Sequence, residues 1–419
     1  MSGNMFKCSA LILSFCLIGE LSIAAAPLNI QVHAEAAILM NADTGAILYE
    51  KNSHEQHYPA SITKIATAIY ALLKYGDKLD EIVVAQQDAV GAVSEEQVKK
   101  SNYSLPAYRI KMGSSHIGIK RGEKLTLRDL IYGMMLPSGN DAPNVIAQHI
   151  GGTIPQFMLE LNAYLQSIGC TQTHFSSPHG LHHPTHYTTA YDMAILTKEA
   201  LKNEQFREII STITYKRPKT NMQDATTFVQ TNRLLRKGPF YYPKAIGVKT
   251  GYGMPALHTF VGAATDQGRT LVAVLLCCKE RDQIFKDTIA LFEAAFNEKK
   301  VVKEYFKAGP QAYEFEIANA KIPTHTEKEF TLEYFPAEEP AVKAWLTWNK
   351  AGLPIKKGQE VGNITIQIDE QLVEKIPLLA SAEFPTATLR DSKAVFWIIG
   401  VVLASGLAGI FLYRRQKKA

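Results

Sequence analysis

"PASITKIATAIY", Pro59 to Tyr70, is the stretch on which the reading of this chain turns. Ile62, Ile65, Ala66 and Ile69 recur at helical spacing and run on into Leu72 and Leu73, which predicts a buried helix with one apolar face, stopped at Tyr75-Gly76. Ser61 and Lys64 fall three residues apart at its start and are neighbours on one turn. A serine N-cap followed by a solvated lysine is the ordinary explanation of such a pair. At average composition, about one or two Ser-x-x-Lys matches arise by chance in a chain of this length. The pair therefore needs support from elsewhere.

The 419 residues suggest two or three domains, and 46% apolar with 20% charged residues is ordinary globular composition with room for a sizeable core. The 45 basic and 40 acidic residues give a net charge of +5 without a long basic run interleaved with aromatics, which argues against nucleic acid as a partner. The ends carry more information. "MFKCSALILSFCLIGELSIAAA", residues 5–26, has an apolar run of leader length and a small-residue end, so residues 1–26 read as a signal peptide cleaved near Ala26. "AVFWIIGVVLASGLAGIFLY", Ala394 to Tyr413, is uncharged over a bilayer-spanning length, and the basic tail at 414–419 should stay in the cytoplasm. The expected location is the cytoplasmic (inner) membrane, crossed once, with the bulk of the chain on the outer, periplasmic side. Removal of the leader leaves Cys170, Cys277 and Cys278. The adjacent pair lies in an expected strand and points to opposite faces, and neither a disulfide framework nor a CxxC metal spacing is present.

Between these ends, "AEAAILMNADTGAILYEKN" predicts two strands, "TLRDLIYGMML" a helix capped by Thr126, and "PSGNDAP" an interruption before a second helix. "AIGVKTGY" and "RTLVAVLLCC" read as strands and "RDQIFKDTIALFEAAFNE" as a closing amphipathic helix. Strands at both ends with helices between them predict an α+β domain over residues 27–298, its first and last segments sharing one antiparallel sheet. Residues 299–388 alternate polar and apolar positions with Pro and Gly punctuation, which predicts a small all-β domain, followed by a linker to the C-terminal transmembrane helix.

Two short elements support the opening pair. Ser138-Gly139-Asn140 breaks the helix pair, and Lys249-Thr250-Gly251 ends an expected strand. Ser-x-x-Lys, then Ser-x-Asn, then Lys-Thr-Gly is the motif set of penicillin-binding proteins and serine β-lactamases. The chemistry explains the residue types. A serine hydroxyl needs a base, and a lysine one turn away can serve if burial and a second cation, Lys249, hold it neutral. Ser138 can pass a proton between Lys64 and the leaving nitrogen, and Asn140 can orient Lys64 and a substrate amide. Lys249 and Thr250 are expected to hold a substrate carboxylate, and Gly251 to let substrate lie along the strand edge. The backbone N–H groups of Ser61 and Tyr252 are the expected oxyanion hole.

Over residues 34–298 the chain resembles the low-molecular-mass penicillin-binding proteins that act as D-alanyl-D-alanine carboxypeptidases, peptidase family S11. "YPASITKIATA", "LPSGNDAPNVIA", "THFSSPHGLHHPTHYTTAYDMAIL" and "AIGVKTGY" carry the resemblance, in family order. It implies a serine β-lactamase/penicillin-binding-protein-like fold and removal of the terminal D-alanine from peptidoglycan pentapeptides through a Ser61 acyl-enzyme. It also implies acylation by β-lactam antibiotics, no cofactor, a membrane anchor, and cell-wall synthesis proteins as partners. A DD-endopeptidase, transpeptidase or β-lactamase of the same fold, or a low-turnover wall scaffold, are the alternatives. By the same resemblance, Arg281 or Lys279 binds the terminal carboxylate, His179 faces the site and aids deacylation, and Asp192 stabilises a loop. His182, His183 and His186 are expected in solvent. With no acidic ligand in that run, no metal site is expected there. "YGMPALHTFVGAA" departs from the family pattern after Gly251, and Ser94 to Gly113 forms an extended segment expected at the active-site rim.

Overall fold

The computed structural model describes residues 16–20, 27–317 and 320–385, which divide into two units. The first comprises Ala26–Lys299 together with Pro336–Glu338. Its centre is an antiparallel five-stranded sheet in the order Ala245–Gly253, Leu257–Asp266, Arg269–Cys278, Ala36–Asn41, Ile47–Lys51. The N-terminal hairpin therefore pairs with the last strand of the unit. Side-chain alternation explains how one sheet serves two cores. Ala36, Ile38 and Met40 face the helices of the larger cluster, which contains Ile65 and Ile69, while Ala37 and Leu39 face Phe285 and Phe292 of the closing helix Arg281–Phe296. The central strand Arg269–Cys278 is covered on both faces, and its unbroken apolar run is the sequence counterpart of that position.

Helix Lys64–Tyr75 lies in the core, surrounded by Leu127–Met135, Asp141–Gly151, Ile154–Ser167, Ala190–Ala200 and Glu204–Ser211. Thr126 and Asp129 form a reciprocal capping box that fixes the start of Leu127–Met135. Three local features differ from the sequence reading. The α-helix starts at Lys64, and Ser61 sits in a preceding 3₁₀ turn, Ala60–Thr63, without acting as a cap. Lys249-Thr250-Gly251 lies inside its strand, which continues to Gly253. A further strand, Leu257–Asp266, follows at once, and Pro255 occupies the hairpin turn outside the ladder, where its missing N–H breaks no pairing.

The second unit holds Lys300–Phe335 and the chain from Glu339 onward. Its six-stranded sheet runs Cys16–Glu20, Val342–Trp348, Glu360–Ile368, Gln371–Ala380, Ala320–Thr326, Gly309–Ile317, beside a two-stranded pair, Val301–Phe306 and Phe330–Tyr334. Val342, Ala344, Ile364, Ile366, Ile376 and Leu378 form its core. Part of the expected leader, Cys16–Glu20, is thus an edge strand antiparallel to Val342–Trp348. The rest of that leader and the expected membrane span at 394–413 lie outside the described residues. Among the described residues no helix is long and apolar enough to cross a membrane, and Cys170, Cys277 and Cys278 are free thiols.

Phe157 is fully buried and meets Tyr70 of the central helix edge-on, with ring centroids 5.4 Å apart. Phe157→Ala removes that support and should destabilise this unit by about 3–5 kcal/mol. Urea unfolding followed by near-ultraviolet circular dichroism should show a lowered midpoint for this unit and an unchanged transition for the β unit.

Candidate active site

The nucleophile's position is set by backbone packing. Ala60 has a left-handed φ of 51°, uncommon for a residue with a Cβ, and Gly180 closes directly onto it. A Cβ at Gly180 would lie 1.9 Å from the Ala60 carbonyl oxygen, and Gly180 itself has φ +87°, so only glycine fits. From the sheet side, Thr259 Oγ1 donates to the Pro59 carbonyl at 2.7 Å. A Cβ at Gly251 would meet Thr259 Oγ1 at 2.3 Å and the Ser61 amide nitrogen at 3.0 Å. Glycine in Lys-Thr-Gly is therefore required by the turn that carries Ser61, a constraint additional to the expected clearance for substrate.

Lys64 is 0% exposed. Its Nζ lies 2.7 Å from Ser61 Oγ, 2.6 Å from Asn140 Oδ1, 3.1 Å from the His179 carbonyl and 3.5 Å from Ser138 Oγ. Burial pushes its pKa well below the ordinary lysine value, and the neighbouring Lys249 cation pushes the same way, against the opposing pull of Asp141. A neutral amine has two hydrogens and one lone pair. Asn140 Oδ1 and the His179 carbonyl can only accept, so they take both hydrogens and leave the lone pair for the Ser61 hydroxyl proton. Ser138 has a left-handed φ of 66°, which brings its hydroxyl to the edge of this cluster.

Lys249 is also fully buried and donates to the Thr250 carbonyl at 3.0 Å. Burial alone lowers its pKa to about 7. In the strand pleat it shares the face of Gly251, which packs against the Ser61 turn. Thr250 lines the cleft, with its hydroxyl 2.8 Å from Thr231 Oγ1. Ser61, Ser138, Asn140, Gly251 and Tyr252 border the same cleft, of about 920 Å³, as does Arg281 at the first turn of its helix. Of the two basic residues left open by the sequence, Arg281 is the one in the cleft wall. The segment from Glu95 to Gly113 forms one rim, where Tyr103 meets His182 and His183 edge-on.

Two histidine expectations are overturned. His179 is fully buried, with Nε2 hydrogen-bonded to the Tyr108 carbonyl at 3.1 Å and Nδ1 accepting from the Leu181 N–H, so its ring cannot face substrate. Its contribution to the cluster is its carbonyl. His186 is not in solvent: its Nδ1 accepts from the Ser176 N–H, leaving Nε2–H to donate to Thr63 Oγ1 at 2.9 Å, and Thr63 in turn donates to the Ala60 carbonyl. His182 and His183 are half-buried by the rim. Asp192 accepts from Thr173 Oγ1 and the Gln172 N–H behind this loop.

Sequence reasoning missed Thr63, Thr67 and Asp141. Thr67 donates to the Pro178 carbonyl, so Thr63, Lys64 and Thr67 fasten the histidine loop along one side of the helix. Their signal was available: Thr63, Lys64 and Thr67 are polar residues in a segment, Ile62 to Leu72, that is otherwise apolar and buried throughout. Asp141 accepts from the N–H groups of Ile117, Ile119 and Ala142 and so ties the Ser138-Gly139-Asn140 loop to its neighbour.

Gly180→Ala should displace the Ala60 carbonyl and with it Ser61. We expect slower acylation of Ser61 by at least about tenfold, since an ångström-scale displacement of a reacting group costs up to about a hundredfold. Stopped-flow acylation with a chromogenic cephalosporin measures this, and unchanged acylation would show that the loop does not set the nucleophile.

The model of the D-alanyl-D-alanine carboxypeptidase family matches residues 22–279, and that of the penicillin-binding protein 5 C-terminal domain matches residues 302–386. The chain is 29% identical to the D-alanyl-D-alanine carboxypeptidase DacF of Bacillus subtilis over 365 residues, 84% of this chain and 86% of that protein. Penicillin-binding protein 6B of Escherichia coli superposes with a TM-score of 0.59 at 25% identity, covering 84% of this chain and 97% of that one. A Streptomyces DD-transpeptidase superposes with a TM-score of 0.54 at 29% identity, covering 63% of this chain and 97% of that one. With more than half its length matched and the serine–lysine cluster assembled in one cleft, the chain belongs to the D-alanyl-D-alanine carboxypeptidase family of serine peptidases, S11.

Proposed function

We propose that this protein removes the terminal D-alanine from peptidoglycan stem pentapeptides through a Ser61 acyl-enzyme and that β-lactams acylate the same serine. The observation that carries the reading is the buried Lys64 amine, whose two hydrogens are engaged by fixed acceptors while its lone pair meets Ser61 Oγ at 2.7 Å. In the first step Lys64 takes the Ser61 proton as Oγ attacks the penultimate D-alanine carbonyl. The resulting oxyanion is met by the Ser61 and Tyr252 amides. Collapse breaks the C–N bond, the proton passes from Lys64 through Ser138 to the leaving amine, and D-alanine departs. Water activated by the regenerated amine then cleaves the ester, freeing Ser61. The substrate carboxylate is held by Thr250 and Arg281, with Lys249 adding its positive charge.

The apolar stretch at 394–413 and its basic tail support a single membrane anchor, and the leader supports export, so we place the catalytic unit on the outer face of the cytoplasmic membrane.

The decisive experiment incubates the full chain in detergent with a D-Ala-D-Ala pentapeptide and follows free D-alanine, beside Ser61→Ala. D-alanine release that vanishes in the variant supports the reading, whereas penicillin labelling of Ser61 without D-alanine release overturns the substrate assignment. A pH profile tests the electrostatics. Lys249 is charged below its pKa of about 7 and neutral above it, so kcat/KM for a carboxylate-bearing peptide should fall as pH rises through that value. Lys249→Arg, permanently charged, should remove this alkaline fall. An unchanged alkaline limb would exclude Lys249 as its origin.

A further inference from the structure

We propose that Glu35, His57 and Cys277 form a site for a zinc-type divalent cation, away from the acylation cluster. One ligand atom from each, a carboxylate oxygen, an imidazole nitrogen and the thiol sulfur, lie within 4.8 Å of one another. Zinc holds such donors at about 2.0–2.3 Å, so the ligand atoms around it stand about 3–4 Å apart, and small side-chain rotations close the remaining gap. Nitrogen, sulfur and carboxylate donors together suit zinc better than magnesium or calcium, and three protein ligands leave a fourth position for water.

Two further features suit these side chains to a metal. His57 Nε2 is buried without a hydrogen-bond partner, an uncommon condition that a metal would relieve. Its backbone is held separately, by reciprocal bonds with Thr188 at 2.8 and 2.9 Å, so the ring is placed without any polar contact to Nε2. Cys277 has a left-handed φ of 56° where the ladder to the neighbouring strand carries one extra residue, between the His258–Cys278 and Phe260–Leu275 pairs. Such a bulge re-aims a side chain. The Glu35 N–H donates to the Cys277 carbonyl at 3.4 Å, which keeps the third ligand in register. Zinc is held by the thiolate, so binding would release the Cys277 proton to solvent. His57 lies four residues before Ser61, so a bound cation would tie the approach to the nucleophile to the end of the central strand.

The test titrates the untagged full chain, freed of metal by chelator, with Cd²⁺ and with Co²⁺, following the thiolate-to-metal charge-transfer absorption and the metal content after gel filtration. We expect one ion per chain, with the band abolished by Cys277→Ser and retained in Cys278→Ser. His57→Ala should weaken binding by more than the roughly 10–100-fold cost of an outer-shell change. Circular dichroism on each variant reports its fold, and an added rise in Tm with Zn²⁺ in the parent alone reads binding independently of the thiol. No band and no retained metal at micromolar concentrations would overturn the site, as would a band that survives Cys277→Ser or disappears equally in Cys278→Ser.

Discussion

A lysine amine shut away from water is the constraint around which the catalytic unit is arranged. A charged ammonium at that depth would be strongly disfavoured: burial and the charge of Lys249 both oppose it, against the smaller pull of Asp141. What surrounds Lys64 is a set of oxygens suited to a neutral amine. The Asn140 side chain, the His179 carbonyl and the Ser61 hydroxyl come from three separate segments, and each must arrive in place for the amine to be satisfied. Loss of any one leaves a buried polar group unpaired, so the catalytic arrangement and the packing of the core are the same requirement.

The backbone around the nucleophile is correspondingly tight. Gly180 and Gly251 approach the Ser61 turn from opposite sides with no side chain between, and Thr259 and His186 secure the two flanks through Pro59 and Thr63. Ala60 and Ser138 occupy left-handed conformations that cost energy in isolation and persist because the surroundings over-determine them. Precision in the site thus derives from neighbouring main chain, which is insensitive to the flexibility of long side chains.

Much of this was legible in the sequence because the relevant signals are local. The hydrophobic period of Ile62 to Ile69, the cap at Thr126, the unbroken apolar run of the central strand and the three short motifs all report on their own segments. What stayed hidden is relational. The strand Leu257–Asp266 carries Gly, Ala, Thr and His among its apolar residues and begins beside a proline, so its strand character comes from the two neighbours it pairs with. His186 looked solvent-bound because nothing in a histidine-rich loop says which ring will turn inward toward a threonine one hundred and twenty-three residues away. The full burial of Lys249 is equally relational, since a pleat assigns a face only once the partner strand and its covering layer are known.

The order of strands in the first sheet has a consequence for biosynthesis. The N-terminal hairpin pairs with Arg269–Cys278, the last strand of the unit, and the lysine that conditions Lys64 arrives only with Ala245–Gly253. A nascent chain that has passed Ser61 and Lys64 on the ribosome therefore possesses the reactive pair but neither its electrostatics nor its supporting edge. Long-range pairings of this kind close slowly. Reactivity is consequently withheld until translation has delivered nearly the entire unit, and the growing polypeptide carries its nucleophile in an unarmed form.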